Sequence, residues 1–87
     1  MTLPTIHLGG SSPWALNDDY VFALTAVRDA RDAIRRIDFN ARDYYVQGAG
    51  AWEAAVAERQ AQMQALDGLI HYLEEHLTHI YDVIDRK

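Results

Sequence analysis

A heptad pattern of apolar residues over 51–85 limits most strongly what this chain can fold into. Ten positions follow alternating steps of four and three, and nine of them are apolar: Trp52, Val56, Arg59, Met63, Leu66, Ile70, Leu73, Leu77, Ile80 and Ile84. A repeat of this length is typical of a helix that packs along one seam. Gly68 lies inside this run, where glycine costs about 1 kcal/mol. Because Gly68 falls opposite the seam and the phase continues through it, we expect one helix over 51–85; a break at Gly68, giving three helices, is the alternative.

The residues before this run predict a shorter helix over 13–37. Ser12 is a suitable N-cap, and Pro13 occupies the first helical position, where proline is favoured. The expected apolar stripe of this helix comprises Tyr20, Leu24, Val27, Ile34 and Ile37. Residues 38–50 are expected to form a loop. Residues 1–12 are expected to form an extended arm, because apolar and polar residues alternate there before two glycines.

These segments predict one all-α domain over 1–87, an antiparallel helical hairpin with one long helix and a short extended N-terminal arm. The long helix would extend about 52 Å and the shorter one about 37 Å. We therefore expect the distal half of the long helix to present more apolar surface than a monomer leaves in water. The sequence predicts a homo-oligomer that forms through heptad packing, with a different protein as the alternative partner.

Composition excludes several classes of function. A chain of 87 residues allows one thin core and little room for a deep catalytic cleft. The absence of cysteine excludes disulfides, thiolate nucleophiles and sulfur-bound zinc. A net charge of −5 argues against general binding of nucleic acids or anionic membranes. We find neither a membrane-spanning run nor a secretory signal, and we expect a cytoplasmic protein that is not an enzyme and uses no cofactor.

The loop holds the strongest candidate ligand-binding site. Its members are Arg42, Tyr44, Tyr45, Gln47 and Gly48, which directly precede the long helix. Arginine donates to phosphate, tyrosine stacks on bases, and the first N–H groups of a helix favour anions. Arg35 and Arg36 lie nearby and make this the one locally basic stretch. The alternative is that these residues only pack against one another and close the end of the two helices.

Two other polar clusters carry weaker signals. His7 and Ser11 form a candidate polar nest before the first helix, where we expect ligand contact rather than catalysis because no third catalytic residue accompanies them. His71, Glu75 and His79 follow one another at steps of four, a spacing that a surface metal site could use. Neither H-E-x-x-H nor the paired E-x-x-H motif is present, so we expect a solvated or interface surface there and no metal.

Arg59 is the one charged residue of the heptad seam. A charge that leaves water needs a partner, because its desolvation is costly. We expect Arg59 to pair with Asp29 or Asp32 of the first helix, or to extend its guanidinium group to the edge of the seam.

The arm and the loop together resemble known phage proteins. The arm reads Ile6-His7-Leu8-Gly9-Gly10-Ser11-Ser12, and the loop reads Ala41-Arg42-Asp43-Tyr44-Tyr45. This combination resembles small, mostly uncharacterised bacteriophage and prophage proteins with an I-H-L-N-G-T-S leader and an R-D-Y-Y loop; the present chain departs from that leader at Gly9 and Ser11. The helical hairpin is also similar to phage proteins that sequester cyclic-nucleotide and cyclic-ADP-ribose immune signals. The resemblance implies a phage accessory protein that counters host defence, and it transfers no ligand residue.

Two functions of different classes follow from these expectations. The first is an oligomeric binder, or sponge, of a phosphate-bearing nucleotide immune signal, favoured by the arginine and tyrosines at a helix start. The second is a protein–protein module whose long helix inhibits a host defence protein or assists phage assembly. The acidic distal helix and its wide apolar stripe favour the second. The expected partners are therefore a second copy of the chain and either a nucleotide-derived small molecule or a host protein.

Overall fold

The computed structural model describes residues 1–86 and consists of two long helices joined by two short helical turns. Helix α1 spans Pro13–Arg35, and helix α2 spans Ala51–Asp85. The connection contains 3-10 turns over Ala41–Asp43 and Tyr45–Gln47. No strand occurs within residues 1–86, so the expected all-α class with one long helix is confirmed. The molecule is elongated, with dimensions of 61 × 22 × 18 Å.

Helix α1 begins at the residue that its sequence predicts. The hydroxyl of Ser12 accepts a hydrogen bond from the backbone N–H of Ala15 at 3.4 Å, and Pro13 is the first helical residue. The cap satisfies one of the N–H groups that have no partner inside a helix, and proline has no N–H to satisfy.

Helix α1 ends at Arg35, two residues before its predicted end. The N–H of Ile37 donates to the carbonyl of Ile34 at 3.1 Å, three residues back, so the last turn is tighter than an α-helical turn. Ile37 therefore lies beyond the end of α1, and its side chain is 59% exposed. The expectation that Ile37 belongs to the apolar stripe of this helix is wrong, because the helix ends before it.

Helix α2 is continuous through Gly68 and occupies the range that the heptad pattern predicts. A Cβ atom added at Gly68 would meet no atom within 4 Å, so no close contact requires glycine there. The three-helix alternative does not occur. Of the ten seam positions, Ile70, Leu73 and Ile80 are buried and the other seven are partly buried.

Helix α1 packs along α2 through one thin apolar core. Leu24 of α1 is buried against Ile70 and Leu73 of α2, and the partly buried residues around them are Tyr20, Ala23, Val27 and Leu77. Two ion pairs join the helices beside this core, Arg28–Glu74 at 2.6 Å and Arg31–Asp67 at 3.3 Å. Exposed ion pairs contribute at most about 1 kcal/mol each, so apolar packing supplies most of the stabilisation.

Part of the distal half of α2 is covered within the chain, which the sequence did not predict, whereas Leu69, Tyr72 and Tyr81 of this half are exposed. Ile80 is completely buried, and His76 is 2% exposed. The ring of Tyr20 stacks on His76 with centroids 5.1 Å apart, and the Nδ1 atom of His76 lies 2.8 Å from the carbonyl oxygen of Tyr72. This burial reduces the apolar surface from which oligomerisation through the seam was inferred, and oligomerisation stays a prediction.

The N-terminal arm lies against α2 and does not form a strand. The Nε2 atom of His79 lies 2.7 Å from the carbonyl oxygen of Pro4. Because a carbonyl oxygen has no proton to donate, Nε2 is the donor of this hydrogen bond. Pro4 and Ile6 are partly buried, whereas Leu8 is fully exposed. Neither helix of the described chain combines the length and the hydropathy needed to cross a membrane.

Two leucines four residues apart on α2 test where the core lies. Leu73 is 7% exposed and Leu69 is 43% exposed. We expect Leu73→Ala to lower the free energy of unfolding by about 2–5 kcal/mol, because it leaves a cavity, and Leu69→Ala to lower it by under about 1 kcal/mol. Urea denaturation followed by circular dichroism measures both. Equal losses would contradict packing of α1 on this side of α2.

The docking of the arm is tested by a matched pair of histidines. We expect His79→Ala to release the arm, since it removes the hydrogen bond to Pro4, and to lower stability by about 1 kcal/mol. His71→Ala is the control, because the side chain of His71 is 68% exposed and makes only a 3.9 Å contact with Glu75. Limited proteolysis should cleave the arm faster in the His79 variant alone. Equal cleavage rates would show that His79 does not hold the arm.

Candidate functional site

The predicted loop site is held by hydrogen bonds of its own. Asp38 accepts hydrogen bonds from the side chains of Arg42 at 2.8 Å and Asn40 at 2.9 Å. The side-chain oxygen of Asn40 in turn accepts the backbone N–H of Arg42 at 3.1 Å and caps the first 3-10 turn. Part of the charge of Arg42 is therefore neutralised by Asp38. An anion that binds Arg42 would therefore compete with Asp38, although both side chains are largely exposed.

The two adjacent tyrosines of the loop have different environments. Tyr44 contacts Phe39 and Trp52, each with ring centroids 5.7 Å apart, and Phe39 and Trp52 are themselves 4.8 Å apart. We call these three residues the aromatic cluster. Tyr45 points away from it and is 70% exposed. The packing alternative therefore describes Tyr44, and Tyr45 is the tyrosine whose ring is free to stack on a ligand.

Arg59 joins α2 to the end of α1 and to the aromatic cluster. Its Nη2 donates to the backbone carbonyl of Ile34 at 3.2 Å, and its guanidinium carbon lies 4.7 Å from the centroid of the Phe39 ring. A cation is favoured at this place, because the carboxyl end of a helix is negative and an aromatic face attracts positive charge. The expected pairing with Asp29 or Asp32 is wrong, since Arg59 forms no ion pair within residues 1–86.

A shallow groove lies beside Arg59 at the loop end of the molecule. It encloses about 360 Å³, and its lining residues are Ile34, Ile37, Phe39, Tyr44, Ala55, Glu58 and Arg59. Of the predicted site residues, Tyr44 alone lines it. A flat apolar ligand group would contact the isoleucines, and a negative group would meet the guanidinium of Arg59.

Two glycines shape the chain between the loop and α2. Gly48 has a φ angle of 113° and Gly50 one of 84°, a region that other residues rarely adopt. Gly50 precedes α2, and no side chain caps that N-terminus. Gln47 and Gly48 are both exposed there. Within residues 1–86, no side chain accepts a hydrogen bond from the first N–H groups of α2, whereas the carbonyl of Gly48 accepts the N–H of Ala51 at 3.5 Å.

The structure separates the remaining predicted site residues into two groups. Arg35 and Arg36 are exposed beside the loop and form no ion pair within residues 1–86. His7 and Ser11 lie before α1, whose 23 residues extend about 35 Å. The ring of His7 packs over Gly10, where an added Cβ atom would come within 2.8 Å of Nε2. One chain does not bring His7 and Ser11 to the arginines of the loop end.

The histidines of α2 do not converge as metal ligands. His79 is engaged with Pro4 and not with the neighbouring turn, while His71 lies 3.9 Å from Glu75. Within residues 1–86, no three side chains of the metal-binding types lie together. The histidine-rich stretch therefore serves to pack the arm and Tyr20 against α2.

An exposed apolar surface on α1 is the feature that the sequence reasoning missed. We call it the outer face: Trp14, Asp18, Val21, Phe22, Thr25 and Asp29, which share one side of α1. Phe22 is 79% exposed, Trp14 57% and Val21 46%. A groove of about 460 Å³ runs along most of this face, and a second of about 400 Å³ lies between Val21 and Tyr81 of α2. The signal was present in the sequence, because Trp14 and Val21 are seven residues apart and Phe22 adjoins them on the same side of the helix.

Comparison with protein-family models, with curated proteins and with solved structures finds no match. The loop end offers cations and an exposed aromatic ring, and the outer face offers apolar contact area.

The adjacent tyrosines provide a test of this geometry. We expect Tyr44→Ala to lower the free energy of unfolding by about 1–3 kcal/mol, because it removes contacts with Phe39 and Trp52. Tyr45→Ala should change it by no more than about 0.5 kcal/mol, since the side chain is exposed. Thermal unfolding of both variants measures the difference. A larger loss for Tyr45→Ala would contradict the inward position of Tyr44.

Proposed function

We propose that this chain is a non-enzymatic binder of a phosphate-bearing nucleotide, and that its ligand site lies at the loop end. The observation that carries the proposal is that Tyr45, Arg35 and Arg36, all from the loop end of the molecule, are exposed, and that no side chain within residues 1–86 caps the N-terminus of α2. An aromatic ring stacks on a base, and arginines together with free N–H groups bind phosphate. These are the two groups that every nucleotide presents.

The groove beside Arg59 supports the same proposal. Its apolar wall of Ile34, Ile37 and Ala55 fits the face of a base, and Arg59 adds a further cation. We expect Arg42 to contribute less to phosphate binding than Arg35 and Arg36, because its guanidinium group forms an ion pair with Asp38. We therefore place the phosphate nearer to Arg35 and Arg36 than to Arg42.

The arrangement of the two helices and the biological context are also part of this proposal. We infer an antiparallel helical hairpin, since the pairs Arg28–Glu74 and Arg31–Asp67 join later residues of α1 to earlier residues of α2. The resemblance to phage proteins suggests an oligomeric sponge that counters host defence in the bacterial cytoplasm by removing a nucleotide immune signal. A protein that only sequesters its ligand needs affinity and no catalytic group.

A protein–protein interaction module is the second candidate function. The exposure of Trp14, Val21 and Phe22 favours it, because large exposed apolar groups are characteristic of contact surfaces. This surface is on α1, whereas the sequence suggested the long helix. Only the nucleotide function predicts a rise in melting temperature with small ligands.

Thermal unfolding with nucleotides tests the proposed function. We expect a cyclic dinucleotide or cyclic ADP-ribose at 100 times its Kd to stabilise the chain by about 2.7 kcal/mol, which raises Tm by several degrees. Arg36→Ala should weaken binding roughly ten- to a hundredfold, because it removes a charge-assisted hydrogen bond. Arg86→Ala is the control, since Arg86 lies at the other end of α2. The proposal fails if no nucleotide raises Tm or if both variants respond alike.

A further inference from the structure

We infer that the groove beside Arg59 selects guanine as the base of the bound nucleotide, and that Glu58 and Arg59 recognise the edge of that base. The inference rests on the proposed function, which leaves the identity of the base open. Two observations lead to it. Glu58 and Arg59 line the same groove, and within residues 1–86 neither of them belongs to an ion pair.

The groove has room for one base and an apolar lining for its ring. It encloses about 360 Å³, near the lower end of the range for small-molecule sites. Ile34, Ile37 and Ala55 supply the apolar side chains. Arg35 and Arg36 stand between the two isoleucines in the chain, so the arginines that we propose for the phosphate adjoin the groove. A base in the groove therefore leaves its sugar and phosphate outside, on the side of these arginines.

Glu58 and Arg59 are neighbours on α2 that do not face each other, because adjacent residues of a helix point in different directions. Ala55 lies three residues before Glu58 and four before Arg59, so it shares a side of the helix with both of them. A ring that rests on Ala55 is therefore within reach of a carboxylate, which accepts hydrogen bonds, and of a guanidinium group, which donates them.

The guanidinium group of Arg59 keeps donors for a ligand. It has five N–H groups, and one of its nitrogens, Nη2, donates to the carbonyl of Ile34 at 3.2 Å. The contact with the ring of Phe39, 4.7 Å from the guanidinium carbon to the ring centroid, holds the group at the groove that Phe39 also lines. Because this group is already ordered, binding a base costs little side-chain entropy there.

Guanine is the common base that matches both side chains. Its N1–H and its N2 amino group are adjacent donors, which the two oxygens of one carboxylate accept together. Its O6 and N7 atoms are adjacent acceptors, for which arginine is the most frequent partner. Adenine presents an amino group beside N7, and its N1 atom carries a lone pair where guanine carries a proton. A carboxylate repels that lone pair, so Glu58 disfavours adenine.

Three nucleotides that share one sugar and phosphate test the choice of base: the 5′-monophosphates of guanosine, inosine and adenosine (GMP, IMP and AMP). We expect the wild type to bind GMP roughly ten- to a hundredfold more tightly than AMP, which is the discrimination of one good bidentate pair. IMP lacks the N2 amino group and keeps N1–H, O6 and N7, so its affinity should lie between the other two. Isothermal titration calorimetry measures all three dissociation constants.

Glu58→Gln tests the side chain that recognises the donors of guanine. An amide accepts at one atom and donates at the other, an arrangement that suits adenine. The ratio of GMP affinity to AMP affinity should therefore fall at least about tenfold. This ratio is the readout, because loss of a negative charge shifts the binding of both phosphates alike. Glu58 is exposed, so the variant should fold like the wild type, which its melting temperature without ligand checks.

The matched control is Glu75→Gln, which removes the same charge at another exposed position of α2. Glu75 lies about 26 Å farther along the helix, far from the groove. We expect this variant to keep the affinity ratio of the wild type. If Glu58→Gln keeps that ratio, or if Glu75→Gln loses it equally, recognition of the base by Glu58 is overturned.

The failures of the two proposals are distinguishable. If the wild type binds AMP as tightly as GMP, or binds another nucleotide and neither of these, the selection of guanine is overturned and the proposed function stands. If no nucleotide binds to the wild type or raises its Tm, both proposals fall together.

Discussion

The apolar seam of α2 is longer than α1, the helix that packs on it. At each end of the molecule, other parts of the chain therefore contact α2. Helix α2 extends about 52 Å and α1 about 35 Å. The aromatic cluster and Arg59 lie over the first turns of α2, and the arm lies near its last turns through the contact of His79 with Pro4. Loop and arm residues that read as polar sites in the sequence are therefore partly engaged in packing. Only those loop and arm side chains that take no part in this packing are free to contact a ligand.

The helices could be predicted because their determinants are local or periodic. Residues 12–15 contain the N-cap and the proline that define the start of α1, and the heptad period defines the extent of α2. The docking of the arm could not be predicted, since His79 and Pro4 are 75 residues apart and no local pattern links them. The position of Ile37 depends on one backbone hydrogen bond in the last turn of α1. A periodic pattern of apolar residues does not predict such a bond.

The candidate loop site stays a prediction from the sequence, and the surroundings of each of its residues could not be predicted. Tyr44 and Tyr45 have identical propensities, and only the 3-10 turns decide which one faces Phe39 and Trp52. The ion pair between Arg42 and Asp38, which are four residues apart, likewise depends on the backbone path of the loop. The outer face was hidden because α1 carries two apolar stripes, and the stripe that packs on α2 dominates the periodicity.

The elongated shape affects how the assembly of this chain must be measured. Its radius of gyration is 18.9 Å, whereas a compact chain of this length has about 12 Å. A rod tumbles and diffuses more slowly than a sphere of equal mass, so a monomer elutes early from a gel-filtration column calibrated with globular standards. Elution volume therefore overstates the mass of a single chain. Only methods that weigh the particle, such as light scattering or sedimentation equilibrium, separate one copy from two.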